Sequence, residues 1–445
     1  MKIDKNYLYS GGLAEFLSQP TKLTFSFFRH WFTGKKSVGK AMNLLKLPYL
    51  PLSSPLLVLI NEEIYVNLKI EEETLYHDTV FHYKPQKSIH DKPQQAFSFS
   101  KILLPDSWNG TFQHINQQSY WLGHADEVKK FATDLIESIP DNPTQQSVEE
   151  IDDYISETVW PAVIAISVIN EFFLAVAEKD HSLQKQSIQD EMNRQIIEKD
   201  WFFLSLRKMH DVKAGAMTFE DFIRQYGLRA DKDYELSCPR WLEIPEQIKL
   251  RIKDLGDLTE IKRSQPSTVL PALAQTVVDI QLARIRIKQK ALAYMYHLRL
   301  ELLSKYKKDD LADYTRSLIL YGKNENIVSE HINIDEQVLH KTVKETGKGN
   351  GVSQGISKGV TQHISDATET IHEGAICIFP NTSPEFSPFY KRCNAIIFMK
   401  GGVTSHGAIV AREYGIPAIV YNQIEEIPQN TSVEVDGMKG TWKVV

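Results

Sequence analysis

Several features that would point to particular classes of protein are scarce in this chain of 445 residues. The three cysteines, Cys238, Cys377 and Cys393, show no paired or metal-like spacing, which argues against a disulfide framework and fits a reducing cytoplasm. The formal charge of −6 comes with no basic stripe, so nothing argues for nucleic acid binding. The start of the chain lacks the apolar segment of a signal peptide. The longest apolar window, 159–177, is interrupted by Asn170 and Glu171 and predicts a buried helix, so we expect no membrane span.

Hydrophobic periodicity divides the rest of the chain into two unlike parts. Apolar spacings of three and four predict helices at 128–139, 148–176, 188–210, 219–226 and 272–306. Short apolar runs bounded by turns predict a hairpin at 56–60 and 64–68, and strands at 376–379, 395–399, 418–421 and 432–435. Residues 340–362 are rich in Gly, Lys, Thr and Ser and predict a flexible linker. We therefore predict a multidomain α+β protein. Residues 1–345 would form a mainly helical domain with a small β element, and residues 346–445 a mixed β/α domain.

The run GGVTSHGAIVAREYGIPA at 401–418 contains the strongest candidate for chemistry, His406. Thr404 or Ser405 can cap a helix whose first turn holds His406, and Gly415 fits the position just after its end. Free N–H groups and the positive end of the helix dipole would favour a dianion on the imidazole. The pattern therefore suits a histidine that carries a phosphoryl group, the alternative being a histidine that only caps or packs.

This run resembles the swivelling phosphohistidine domain of phosphoenolpyruvate synthase, pyruvate phosphate dikinase and rifampin phosphotransferase. Three further motifs resemble the same domain in the same order: GVSQGISKG at 351–359, EGAICI at 373–378, and VEVDG at 433–437 followed by Gly440. The resemblance implies that His406 is the phosphorylated nucleophile. It also implies that Gly401, Gly402, Thr404 and Ser405 support the phosphoryl group.

A second segment, YGLRADKDYELSCPRW at 226–241, resembles part of the middle domain of rifampin phosphotransferase-like enzymes. The start of the chain resembles the same domain more loosely, at Gly12, Glu15, Pro20, Thr24 and 65–68. The resemblance implies an acceptor-binding role, which we assign to Arg229, Glu235, Arg240 and Trp241. The alternative is an internal staple of arginines and carboxylates beneath a loop.

Two basic residues four apart, Arg286 and Lys290, lie on one face of the long predicted helix. In the resembling enzymes an "RE..K" pattern places an Arg and a Lys towards the transferred phosphate, although Ile287 stands here where Glu is expected. Arg284 and Lys288 form a competing pair on the neighbouring face. A solvated basic face is the alternative for both pairs.

The resembling enzymes take their phosphoryl group from ATP held in an ATP-grasp domain, for which this chain has no matching segment. It also lacks the GxxxxGK[ST] phosphate loop. We therefore expect no cofactor and no metal on this chain, and ATP with Mg on a separate ATP-grasp protein. The predicted function is the phosphohistidine component of a split, dikinase-type phosphotransferase that serves a small-molecule acceptor. The alternative is a binding or regulatory protein that reuses the fold without turnover.

Overall fold

The computed structural model describes most of the chain, in separate ranges. They are residues 7–9, 20–45, 49–60, 63–67, 118–178, 180–183, 185–255, 269–325, 345–364, 369–382, 384–399, 406–421 and 427–445. For some of these residues, His406 among them, the description is of the backbone alone. Gly12, Glu15, Gly401, Gly402, Thr404 and Ser405 lie outside these ranges.

Helices dominate the part of the chain before residue 325. They are α1 (Lys22–Trp31), α2 (Ser37–Leu44), α3 (Gln118–Glu137), α4 (Val148–Tyr154), α5 (Trp160–Glu178), α6 (Gln186–Lys199), α7 (Trp201–Lys213), α8 (Phe219–Tyr226), α9 (Pro245–Asp254), α10 (Ala272–Leu303) and α11 (Arg316–Tyr321). A π-helical turn, Ile155–Val159, joins α4 to α5. The predicted helices are thus confirmed, with one correction: the helix expected at 188–210 is two helices. Asp200 separates them because its carboxylate accepts the Phe202 N–H at 2.7 Å and starts α7.

The long helix α10 is the centre of this part, and α3, α5 and α6 pack around it. Its buried residues, such as Val277, Leu292 and Leu298, belong to one apolar cluster with the buried faces of α1, α4 and α5. Helix α5 runs antiparallel to α10, since Tyr154 stacks on Tyr294 near one end of the pair and Arg284 contacts Ser167 towards the other.

The small β element consists of β1 (Tyr7–Tyr9), β2 (Leu57–Ile60) and β3 (Glu63–Asn67). Strands β2 and β3 pair antiparallel, which confirms the predicted hairpin, and β1 pairs with the other edge of β3.

The C-terminal part is an eight-stranded mixed sheet in the order β4-β11-β10-β6-β7-β8-β9-β5. Its strands are β4 (Thr346–Lys348), β5 (Asn350–Ser353), β6 (Ile356–His363), β7 (Ile376–Phe379), β8 (Ala395–Phe398), β9 (Ala418–Val420), β10 (Ser432–Asp436) and β11 (Thr441–Val444). Strands β6 to β9 are parallel, and the other pairs are antiparallel. The four predicted strands are confirmed to within one residue. Helix α12 (His406–Glu413) connects β8 to β9 across the sheet.

The flexible linker predicted at 340–362 is wrong for its described residues, 345–362, because these form strands β4, β5 and most of β6. Their glycines serve close approach of the backbone. A Cβ on Gly349 would lie 2.2 Å from the Val420 carbonyl oxygen, and one on Gly351 2.4 Å from the Gly437 carbonyl oxygen. The sheet therefore already includes residue 346. The domain boundary predicted at 345/346 stays a prediction, because residues 326–344 are outside the described ranges.

Candidate functional site

Helix α12 begins at His406, at the carboxyl edge of the four parallel strands. In open sheets of this type ligands bind outside the carboxyl ends of the strands, where helix N-termini offer N–H groups to anions. A helix start and the carboxyl edge of the parallel strands, where an anion can bind, therefore meet at the His406 backbone. The supporting role of Gly401, Gly402, Thr404 and Ser405 stays a prediction.

The first turn of α12 is held tightly against the sheet through Gly407. A Cβ at this position would lie 2.7 Å from the Tyr390 hydroxyl oxygen and 2.9 Å from Cε1 of Phe398, so any larger residue would push the helix start outward. The Gly407 N–H donates to the carbonyl oxygen of Thr382 at 3.2 Å.

Thr382, which is 3% exposed, lies in the loop that follows strand β7. Sequence reasoning missed this residue. The signal that could have found it is its place just after a predicted parallel strand, because such loops meet at the same sheet edge.

The far end of α12 matches its predicted cap. Gly415 has a positive φ of 64°, and the Ile416 N–H donates to the Ala411 carbonyl oxygen at 3.0 Å. This is the glycine-terminated ending that stops a helix and turns the chain into the next strand, here β9.

The C-terminal domain packs against α6 and α7 of the helical part. Ile197 and Phe203 are 3% and 5% exposed and belong to the same buried apolar cluster as the strands and helix around His406. At the last turn of α12, Arg412 donates through Nε to the Val352 carbonyl oxygen. Burial lowers the pKa of Arg412, and the charge of Asp190 on α6 opposes that shift.

Arg229 is engaged inside the helical part. Its Nε donates to both carboxylate oxygens of Asp233 at 2.9 and 3.0 Å, and Nη1 donates to the Ser205 hydroxyl at 2.7 Å. The guanidinium lies 5.1 Å from the ring centre of Trp241, and the side chain is 2% exposed. These contacts favour the internal staple, and the acceptor-binding role of Arg229 stays a prediction.

Glu235 ties the same loop to the start of α1. Its carboxylate accepts from the Thr21 hydroxyl at 2.7 Å, the Thr24 hydroxyl at 2.5 Å and the Ser237 hydroxyl at 2.8 Å. Thr24 and Glu235, noted separately in the sequence, therefore meet across 211 positions of the chain. This role is also structural, and the predicted acceptor contact is not needed to explain the residue.

Arg240 differs from the other residues of the segment. It is fully buried, and its Nη1 donates to the Asp233 carbonyl oxygen. Nε and Nη2, however, have no hydrogen-bond partner within the described ranges. Burial lowers the pKa of this guanidinium. Nε1 of the neighbouring Trp241 is likewise buried without a partner there, while its ring stacks on Phe222.

The two basic pairs of α10 have different surroundings. Lys290 forms an ion pair with Asp141 at 2.7 Å and donates to the Ile139 carbonyl oxygen, so it holds the loop after α3. Arg286 is exposed, and its charge contributes to lowering the pKa of the same Asp141. These contacts favour the alternative of a paired surface face, and the phosphate role of Arg286 and Lys290 stays a prediction.

In the competing pair, Lys288 lies near the segment that contacts the C-terminal domain, because its charge acts on Asp200. Nε of Arg284 lies 3.3 Å from the Ser167 hydroxyl, and the Tyr234 hydroxyl donates to the Lys288 carbonyl oxygen at 3.2 Å.

Burial raises the pKa of the Asp200 carboxyl to about 6, against the opposing effects of its hydrogen bonds from the start of α7 and of the charges of Arg229 and Lys288. Asp200, a second residue that the sequence analysis missed, lies between Ile197 and Phe203.

Neither a cation centre nor a membrane-crossing helix is found in the described ranges. No group of three or more His, Cys, Asp or Glu side chains there could hold a metal ion. No helix there has both the length and the apolar character that a bilayer span requires.

Comparison with known proteins gives matches in the C-terminal region. Residues 371–440 match the family model of the mobile domain of PEP-utilising enzymes. A probable phosphoenolpyruvate synthase of Staphylothermus marinus is 42% identical over 80 residues, which are 18% of this chain and 10% of that protein. A phosphoenolpyruvate synthase of Aeropyrum pernix is 35% identical over 79 residues, 17% of this chain and 10% of its own. The chondramide synthase cmdD of Chondromyces crocatus is 41% identical over 73 residues, 16% of this chain and 2% of its own.

These matches confirm the resemblance inferred from the motifs of the C-terminal region, and the segment matched by the family model includes His406. They support a phosphotransfer domain of the phosphohistidine type in the C-terminal region. The aligned region spans about a tenth of the length of the matched synthases.

Proposed function

We propose that this chain is the phosphohistidine-carrying component of a split, ATP-dependent phosphotransferase. The observation that carries the proposal is the position of His406, at a helix start on the carboxyl edge of parallel strands, within the segment matched to the mobile domain. A separate ATP-grasp protein would supply ATP and Mg, and a small molecule would accept the phosphoryl group.

In the first half-reaction the neutral His406 imidazole attacks the β-phosphorus of ATP held by the partner. An N–P bond forms, the bond to the AMP oxygen breaks, and water releases the terminal phosphate as inorganic phosphate. The phosphoramidate keeps a high transfer potential, so one hard step becomes two easier ones. The N-terminus of α12 favours the charge of the carried group.

In the second half-reaction an acceptor oxygen attacks the phosphorus and the imidazole leaves. We place this step near Lys288 and its neighbour Arg284, because the charge of Lys288 acts on Asp200, which lies between Ile197 and Phe203 of the apolar contact with the C-terminal domain. Two cations there would stabilise the charge that builds on the phosphoryl oxygens.

Labelling tests the first half-reaction. With the ATP-grasp protein and Mg, we expect β-labelled ATP to give an acid-labile, base-stable adduct, and γ-labelled ATP to give labelled inorganic phosphate. His406→Ala should abolish the adduct, whereas His372→Ala, at an exposed position of the same domain, should keep it. Equal labelling of His406→Ala would contradict the assignment. An unlabelled wild type beside a partner that hydrolyses ATP would favour the non-catalytic alternative.

The two basic pairs of α10 provide matched variants for the second half-reaction. Arg284→Ala and Lys288→Ala should each slow release of label to a panel of metabolites by roughly 10²-fold, the effect of losing one electrostatic donor. Arg286→Ala and Lys290→Ala should release it at close to the wild-type rate. The opposite result would restore the assignment made from the sequence, and four wild-type rates would place the transfer elsewhere.

A further inference from the structure

Arg240 is the most unusual charged group in the described part of the helical region. Its side chain is 0% exposed, and only Nη1 donates to a protein acceptor there, the Asp233 carbonyl oxygen. Nε and Nη2 carry three of the five N–H groups of a guanidinium, so most of its donor capacity is unused. A buried cation left in this state is costly, because it has lost its hydration without gaining hydrogen bonds.

The neighbouring carboxylates are already bound to other arginines. Asp233 binds Arg229 through both oxygens, and Glu243 binds Arg299 through both oxygens at 2.9 Å. Of these three arginines, Arg240 is the one that has no carboxylate partner in the described ranges.

Residues next to this cluster are less buried than Arg240 itself. The loop residues Ser237, Cys238 and Pro239, just before Arg240, are partly exposed. Tyr296 on α10 is also partly exposed, and its pKa, raised by burial, responds to the charges of Glu243, Arg299 and Arg240.

We propose that Arg240 is the core of an anion-binding site that receives a carboxylate or phosphate group of a small molecule. The planar fork formed by Nε and Nη2 matches two oxygens of either group, which is the geometry that arginine recognises best. This site does not depend on phosphoryl transfer at His406. Arg240 would bind the anion, whereas Arg229 and Glu235 contact other groups of the protein.

Thermal unfolding with inorganic phosphate tests the site directly. The full-length protein is unfolded in increasing phosphate, with sodium chloride balancing ionic strength, and acetate is used in a parallel series. We expect a saturable rise in Tm of roughly 2–4 °C from at least one of the two anions. Arg240→Met should lose this rise and, without added anion, unfold no lower than the wild type, because it leaves no carboxylate unpaired.

Arg299→Met is the matched control, because Arg299 is equally buried but fully paired. Its Tm without anion should fall, since Glu243 loses its partner, while the response to the anion remains. Arg240→Lys keeps the charge but not the fork, so the anion concentration at half the maximal response should rise about tenfold. The proposal would be overturned by any of three results. The first is an unchanged half-maximal anion concentration in Arg240→Lys, the second a saturable response that persists in Arg240→Met, and the third no saturable response in the wild type.

Discussion

The helical part and the C-terminal domain are held together by different means. In the helical part, buried charges and hydrogen bonds connect segments that are far apart in the chain. Asp152, which is fully buried, accepts from Nε1 of Trp31 at 2.7 Å and from Nη2 of Arg316 at 2.6 Å, across 121 and 164 positions. The C-terminal domain instead has an almost wholly apolar core and depends on backbone segments that touch at glycines.

This difference bears on which substitutions each part tolerates. A buried ionic tie fails when one partner is removed, because the other charge is stranded without water. A glycine contact fails when any atom is added, because the neighbouring backbone has no room to move. The helical part should therefore be most sensitive to loss of charge, and the C-terminal domain to gain of volume.

The largest expected effect is at Asp152. Asp152→Asn leaves the buried guanidinium of Arg316 without its counter-charge and should lower the free energy of unfolding by about 3–5 kcal/mol, as urea denaturation would measure. Asp153→Asn is the control: that carboxylate is half-exposed in a pair with Lys36, and its loss should change stability by at most about 0.5 kcal/mol. Similar losses of unfolding free energy in the two variants would contradict the view that buried ion pairs hold the helical part together.

The next effect is at Asp200 and depends on pH. Its pKa is about 6 when folded, against 3.8 as the ordinary value, so the folded state binds the proton more tightly. Its contribution to stability is therefore present at low pH and lost as pH rises from about 4 to about 6. Asp200→Asn keeps a capping oxygen without the charge and should gain up to about 3 kcal/mol at pH 7.

The stability difference between Asp200→Asn and the wild type should grow between pH 4 and 6 and stay level above that range. Asp200→Ser, which also caps without titrating, should show the same dependence on pH. A constant difference across the range would mean that the carboxyl titrates alike in the folded and unfolded states.

The smallest effects are at two glycines of the C-terminal domain. Gly407→Ala places a methyl group against Tyr390 and Phe398 and should cost about 1–3 kcal/mol. Gly415→Ala meets no atom within 4 Å, but it must adopt a φ of 64° and should cost only about 1 kcal/mol. Chemical denaturation of the two variants ranks them, and an equal cost would show that sterics at Gly407 are relieved by a small shift of the helix.

The same contrast explains what could be read from the sequence. Local signals predicted the strands of the C-terminal domain, the cap at Gly415 and the start of a helix near His406, because each depends on neighbours in the chain. No local sequence signal predicts that Asp152 contacts Arg316 or that Thr24 contacts Glu235. The glycines at 347–351 were interpreted as flexibility, because their close neighbours come from strands about seventy or more positions later. The two pairs on α10 are indistinguishable by spacing, and only tertiary contacts separate Lys290 from Lys288.

The apolar contact made by Ile197 and Phe203 bears on how fast the domain that carries His406 could move in the proposed function. Burying two such side chains is worth about 3–6 kcal/mol, which corresponds to roughly a 10²- to 10⁴-fold preference for the docked arrangement. Departure of the C-terminal domain must break this contact, so its dwell time there grows with the area that the two side chains cover. A larger apolar interface would keep the domain docked on the helical part. A smaller one would let it leave before the phosphoryl group is delivered. If the domain moves as proposed, the size of this contact sets how long it stays docked, through two residues to which the proposal gives no part in the chemistry.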